Sequence, residues 1–163
     1  MELLSRALAL IYVMGLAMAH VGQAQSSPKE FVALHNAVRA EVGVGPMTWD
    51  TTVASYAESY AKERAADCEL VHSGGPYGEN IYWGIGAGYD DARAAMKNWA
   101  TEKQYYDHEN NKCMSGQECR HYTQIVWRKS VHLGCASVTC NDGKTFITCN
   151  YDPPGNYIGE SPY

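Results

Sequence analysis

The amino-acid sequence predicts an α+β domain in which helices pack over an antiparallel sheet. Three observations carry that prediction. Segments with apolar residues at helical spacing come first, and short β-branched runs bounded by turn residues follow Gln124. All six cysteines (Cys68, Cys113, Cys119, Cys135, Cys140 and Cys149) lie behind an N-terminal stretch of export type. An even count in that setting argues for three disulfides rather than a metal cluster.

The opening stretch, MELLSRALALIYVMGLAMAHVGQAQSS, places Arg6 before an apolar run over residues 7–19 and then a small-residue stretch ending GQA. This reads as a secretory signal peptide, residues 1–24, cleaved after Ala24. The run is too short for a membrane span. Residues 25–163 then form one domain, long enough to bury most of the surface its unfolded chain exposes.

Ser27-Pro28-Lys29-Glu30 supplies an N-cap, a proline at the first helical position and the glutamate of a capping box. Phe31, Leu34, Val38 and Val42 follow at helical spacing until VGVGP ends the helix. His35, inside this helix, is read as a packed histidine or part of a capping network rather than a ligand. A second helix is expected from about Asp50, presenting Val53, Tyr56, Ala57, Tyr60 and Ala61 on one face. A third is expected from Asp90 or Asp91, turning Ala92, Ala95, Met96 and Trp99 inward.

Beyond Gln124, QIVW, LGCASVTC and KTFITCNY read as strands. The last two flank Asn141-Asp142-Gly143 as a hairpin with a three-residue loop, whose register sets Cys135 directly across from Cys149. Each disulfide adds about 2 to 4 kcal/mol. The tail PPGNYIGESPY is expected to run extended along the surface, flexible enough to serve as a protease substrate.

The net charge is −5, with no Lys/Arg run. That excludes nucleic acid and an anionic membrane surface as expected partners. No Asn-x-Ser/Thr site and no endoplasmic-reticulum retention signal occur, so the extracellular space is the expected address. A monomer is expected.

The stretch HSGGPYGEN, residues 72–80, carries His72 and Glu79 in a segment too rich in glycine and proline for a helix or strand. Glu102 follows Trp99 by three residues and so projects from about the same helix face. His121 lies in CRHYTQIVW, just before the expected sheet. If the helices cover one face of that sheet, these four residues share a cleft. Two imidazoles and two carboxylates can hold a divalent cation such as zinc, or interlock as hydrogen-bonded pairs without one. No His-Glu-x-x-His motif is present.

HSGGPYGEN, CRHYTQIVWR, LGC and CNYDPPGNYIGESPY, with LHNAVRAEVGVGPMTWD upstream, resemble the plant pathogenesis-related class one proteins. These belong to the wider superfamily of cysteine-rich secretory proteins and insect antigen five allergens, the CAP superfamily. The resemblance covers residues 25–163 and implies a three-layer α-β-α sandwich around a central antiparallel sheet. It implies that His72, Glu79, Glu102 and His121 are the family's cleft tetrad, and that the disulfides are Cys68–Cys140, Cys113–Cys119 and Cys135–Cys149. No cofactor is required by this reading; a divalent cation in the cleft is the candidate occupant.

The resemblance also implies a non-enzymatic, secreted defence protein of the apoplast, acting on fungi and oomycetes by withdrawing membrane sterol. The matching segment is WATEKQYYDHENNKC, in which Trp99, Tyr105 and Tyr106 offer flat apolar contact to a sterol nucleus. Trp99 also reads as core, which makes the two tyrosines the better contacts. A further implication is an eleven-residue defence peptide, residues 153–163, released by a processing protease between Asp152 and Pro153 and read by a receptor. The alternative is a metal-dependent peptidase using the tetrad. For that, no nucleophile or oxyanion device is identifiable in the sequence.

Overall fold

The computed structural model describes residues 26–163. The expected signal peptide and its cleavage point lie outside the described residues. In chain order the elements are α1 (Pro28–Ala40), β1 (Thr48–Trp49), α2 (Thr51–Arg64), β2 (Gly78–Gly84), α3 (Ala92–Thr101), a 3₁₀ turn (Glu102–Tyr105), β3 (Tyr106–Asp107), β4 (Lys112–Cys113), α4 (Arg120–Ile125), β5 (His132–Thr139) and β6 (Thr145–Asp152).

Each long helix begins where its cap dictates. Ser27 Oγ accepts the Glu30 N–H at 3.2 Å, Asp50 Oδ1 accepts those of Thr52 and Val53, and Asp91 Oδ1 accepts that of Ala94. A cap of this kind contributes about 1 kcal/mol. The inward stripe of α1 is Phe31, His35 and Arg39, with Leu34 and Val38 only half-buried. His35 is indeed packed: its Nδ1 donates to the Phe31 carbonyl at 2.8 Å, so its Nε2 accepts from the Tyr151 hydroxyl at 2.9 Å. The Arg39 guanidinium donates to the carbonyls of Gly45, Ile125 and Trp127, pinning α1 to the segment that follows α4.

The main sheet has the order β1-β5-β6-β2. β5 and β2 both pair antiparallel with β6, and the two-residue β1 pairs parallel with β5. The sheet is therefore mixed rather than purely antiparallel. Cys135 stands directly opposite Cys149, as the hairpin register predicts. Alternation along the strands makes the layers. Leu133, Cys135, Ile147, Cys149 and Tyr151 face a core shared with α1, α3 and α4, whereas Ala136 and Phe146 face the core under α2. The result is an α-β-α sandwich. Gly134 lets the α2 backbone rest on β5: a Cβ there would lie 2.1 Å from the Ala54 nitrogen.

Three disulfides, Cys68–Cys140, Cys113–Cys119 and Cys135–Cys149, use all six cysteines. No helix among the described residues is long and apolar enough to cross a membrane.

Three expectations are corrected. QIVW is not a strand, because Gln124 and Ile125 end α4 and Val126 and Trp127 lie in the turn after it. A short fully buried apolar run has no periodicity to distinguish the two. HSGGPYGEN is a loop only as far as Tyr77, since Gly78, Glu79 and Asn80 open β2, whose pairing with β6 is long-range. The tail lacks helix and strand but is not loose, being hydrogen-bonded to the body along much of its length.

Candidate functional site

The loop before β2 is laid down by close approach. Gly75 lies against Tyr56, where a Cβ would fall 1.8 Å from the ring hydroxyl. The Tyr60 hydroxyl donates to the Val71 carbonyl. These contacts bring His72 back over Glu79, with His72 Nδ1 2.7 Å from Glu79 Oε1. The Ser73 N–H donates to the same oxygen at 2.9 Å, and Asn150 Nδ2 donates to Oε2 at 3.3 Å. The Glu79 side chain is 5% exposed and that of His72 60%, so the carboxylate backs an imidazole that is offered to solvent. Burial alone pushes the Glu79 carboxyl up, but the hydrogen bonds from His72, Ser73 and Asn150 outweigh it and hold the group below its ordinary range. The bond to Glu79 raises His72 against the opposing effect of burial.

The second pair is built at a helix start. Glu102 ends α3, and its Oε2 accepts the N–H groups of His121 and Tyr122 at 3.0 and 3.3 Å, capping α4. Its Oε1 lies 2.6 Å from His121 Nδ1. Asn80, buried in β2, donates from Nδ2 to the His121 carbonyl at 3.0 Å. The imidazole stacks on Trp99 with centroids 6.3 Å apart.

His72 and His121 line one groove of about 460 Å³ with Leu70, Ile81, Tyr82, Trp83 and Asn98. The structure thus gathers the four residues as two closed His–Glu pairs on a common groove. They do not form a single four-ligand cluster. In both pairs a carboxylate faces Nδ1, which leaves Nε2 of each imidazole as the basic nitrogen. Each oxygen of Glu79 and Glu102 accepts a hydrogen bond, so in this geometry the carboxylates orient the imidazoles. Imidazole Nε2 is a common ligand of divalent cations, so His72 and His121 are the residues that would hold one on this groove. Among the described residues, one trio brings ligand atoms within 4.8 Å of one another: Cys68, Cys140 and Asp142. Its two sulfurs are bonded to each other, which leaves no thiolate.

The expected lipid residues separate. Trp99 is fully buried, and its Nε1 donates to the Ile81 carbonyl at 3.1 Å, so it is core and cannot touch a ligand. Tyr105 lines a groove of about 740 Å³ beside α3, walled also by Tyr82, Tyr89 and Asn98. Tyr106 faces the other way, packing on Tyr122 and Tyr163 beneath the tail. The sequence reading missed Tyr82, Tyr89 and Asn98, and it missed Asn80 and Asn150, which fix the two pairs. Only Asn80 carried a local signal, as the neighbour of Glu79.

A protein-family model described as the cysteine-rich secretory protein family, CAP, matches residues 32–151. The chain belongs to this family. It is 55% identical over 148 residues to pathogenesis-related protein 1A of Nicotiana tabacum, covering 91% of this chain and 88% of that one. It is 50% identical over 163 residues to pathogenesis-related leaf protein 6 of Solanum lycopersicum, covering 100% of each. Among solved structures it is similar to NaASP2 with Zn²⁺, at TM-score 0.68 and 27% identity over 83% of this chain and 84% of that one. It is also similar to venom allergen-like protein 4 of Schistosoma mansoni, at TM-score 0.65 and 26% identity over 83% and 92%. This member of the CAP family thus joins the family sandwich to two grooves that meet at Tyr82 and Asn98.

Proposed function

We propose that the protein is a secreted, apoplastic plant defence protein that binds a sterol-like lipid in the groove walled by Tyr82, Tyr89 and Tyr105. That groove carries the reading. Its volume, about 740 Å³, lies within the range of small-ligand sites, and three tyrosine rings give wide contact at little conformational cost. Relatives named pathogenesis-related proteins support the defence role, and three disulfides suit an oxidising compartment. A Zn²⁺-bearing relative supports a cation at His72 and His121, where it would supply charge to the groove. Hydrolysis is the weaker reading, because Glu79 and Glu102 are each engaged by their own histidine and by backbone N–H groups, which makes them orienting groups rather than bases aimed at the groove.

The experiment is growth inhibition of a sterol-requiring microbe by the purified protein, with and without added ergosterol. Relief by saturating sterol is expected. Inhibition that persists unchanged removes the carrier mechanism.

A second reading, a peptide precursor, is supported by the chain at Asp152. β6 ends there, Pro153 is exposed, and residues 153–163 lie outside the sheet and all three disulfides. A cut at that bond would leave the sandwich whole. Mass spectrometry of extracellular fluid from infected tissue tests this reading, and absence of the eleven-residue fragment counts against it.

A further inference from the structure

Residues 153–163 are held as a bound peptide is held. Ser130, Gln124 and Thr123 are buried polar residues, and each spends its side chain on the tail. Ser130 Oγ donates to the Pro153 carbonyl at 2.7 Å. Gln124 Oε1 accepts the Gly155 N–H at 2.9 Å. Thr123 Oγ1 donates to Asn156 Oδ1 at 2.7 Å. Without the tail each of these groups would lose a hydrogen-bond partner. Buried polar groups arranged in this way form a built site rather than a surface on which a tail happens to lie.

The geometry is selective at both ends. Gly155 rests flat on the Trp127 indole, where a Cβ would lie 2.6 Å from the ring, so only glycine fits that position without a shift. Asn156 returns a hydrogen bond to the Arg120 carbonyl at 2.9 Å. At the other end Pro162 is buried and its carbonyl accepts the Arg128 N–H at 2.8 Å. The Tyr163 ring stacks on His108 at 4.6 Å between centroids, nearly parallel. Between the ends, Asn111 Nδ2 donates to the Glu160 carbonyl at 2.9 Å.

We infer that the surface built by residues 106–130 is a peptide-binding site, filled in this structure by the chain's own tail, whose ligand class is an extended peptide with Gly-Asn at one end and Pro-Tyr at the other. The tethered copy outcompetes a free peptide because linkage gives it an effective concentration on the order of millimolar. One consequence rests on the precursor reading: scission after Asp152 leaves the fragment seated, and its release is a separate step.

The test uses the uncut chain, so its failure is distinct from failure to find a released fragment. A fluorescein-labelled synthetic peptide of residues 153–163 is titrated into the unaltered protein and into a variant weakened only in the tail, Asn156→Ala with Tyr163→Ala. Binding to the variant is expected to be at least about tenfold tighter than to the unaltered chain. Adding His108→Ala and Asn111→Ala should abolish it, and a peptide with valine in place of Gly155 should not bind. A tail variant that keeps its near-ultraviolet circular dichroism but takes up no peptide overturns the inference, as does equally tight binding to the unaltered chain. Hydrogen exchange on the unaltered protein provides a second readout. The amides of Gly155 and Arg128 should be slowed on the order of a hundredfold relative to unstructured chain. Exchange of both at the unstructured rate also overturns the inference.

Discussion

His121 Nδ1 lies 2.6 Å from Glu102 Oε1, while the other oxygen of that carboxylate accepts the N–H groups of His121 and Tyr122. One side chain therefore both orients an imidazole and caps α4. Glu102→Gln replaces an acceptor-only group with one that must turn an NH₂ toward a donor on one side or the other. The expected cost is about 1.5 to 3 kcal/mol in urea unfolding. Zinc affinity measured by calorimetry should fall about 10- to 100-fold, the usual range for loss of an orienting partner. Sterol affinity should change less, since Tyr82, Tyr89 and Tyr105, and not the Glu102 carboxylate that also lines that groove, supply its aromatic contact. An equal loss of sterol binding would merge the two grooves into one functional site.

His35 makes one contribution to the pH dependence, opposed in sign by that of His72, which its bond to Glu79 raises. Burial lowers His35 to about 4 from an ordinary 6.5, against a smaller raising effect of the Phe31 carbonyl. Below 6.5 the unfolded chain takes up a proton that the fold refuses. The stability this group confers is therefore complete above 6.5 and lost as the pH falls toward 4, amounting to about 3 kcal/mol. Urea unfolding at pH 7, 5.5 and 4 should show the loss in the unaltered protein and a flatter profile in His35→Gln. Parallel profiles for the two proteins would show that His35 does not titrate as its surroundings dictate.

These cases mark what the sequence makes legible. The Ser27 N-cap, the caps Asp50 and Asp91, and the Cys135–Cys149 hairpin each depend on neighbours a few residues apart and are found as read, whereas the Glu30 carboxylate expected to complete a capping box pairs with Arg93. β2 escaped because its partner strand is distant in the chain, and QIVW because full burial erases periodicity. At the candidate site, the grouping of the four residues came from family resemblance, which did not say how they pair, and no spacing rule reaches Asn150 on β6. The burial of Trp99 follows from α3 amphipathicity, which placed it inward beside Ala95 and Met96. The direction of Tyr105 against that of Tyr106 depends on the 3₁₀ turn between α3 and β3, which has no signature in composition.

Gly134 tests the sandwich itself. The atoms a new Cβ would strike belong to the α2 backbone at Val53 and Ala54, so no side chain can rotate to relieve the contact. Gly134→Ala should push α2 away from β5 and cost about 3 kcal/mol, the upper part of the overpacking range. Thermal unfolding checks this directly. A variant as stable as the unaltered protein would mean that the helix and strand sit farther apart than described.

The three aromatic residues first assigned to lipid now predict three different outcomes, which makes them the sharpest test of the groove. Tyr105 lines it and is only half-buried, so Tyr105→Ala should weaken sterol binding about tenfold, equivalent to about 1.4 kcal/mol, with a small effect on the urea midpoint beside that of Trp99→Ala. Tyr89, which lines the same groove and is 66% exposed, should weaken sterol binding in the same way when replaced by alanine. Tyr106 packs under the tail, so Tyr106→Ala should leave sterol affinity unchanged while loosening the contacts to Tyr122 and Tyr163. Trp99→Ala should cost about 3 to 5 kcal/mol of stability, because it empties a fully buried site and strips the Ile81 carbonyl of its donor. Sterol titration and urea unfolding on the same four proteins separate binding from folding. If Tyr106→Ala lost sterol affinity and Tyr105→Ala kept it, the ligand would belong beneath the tail, and the groove beside α3 would lose its assignment.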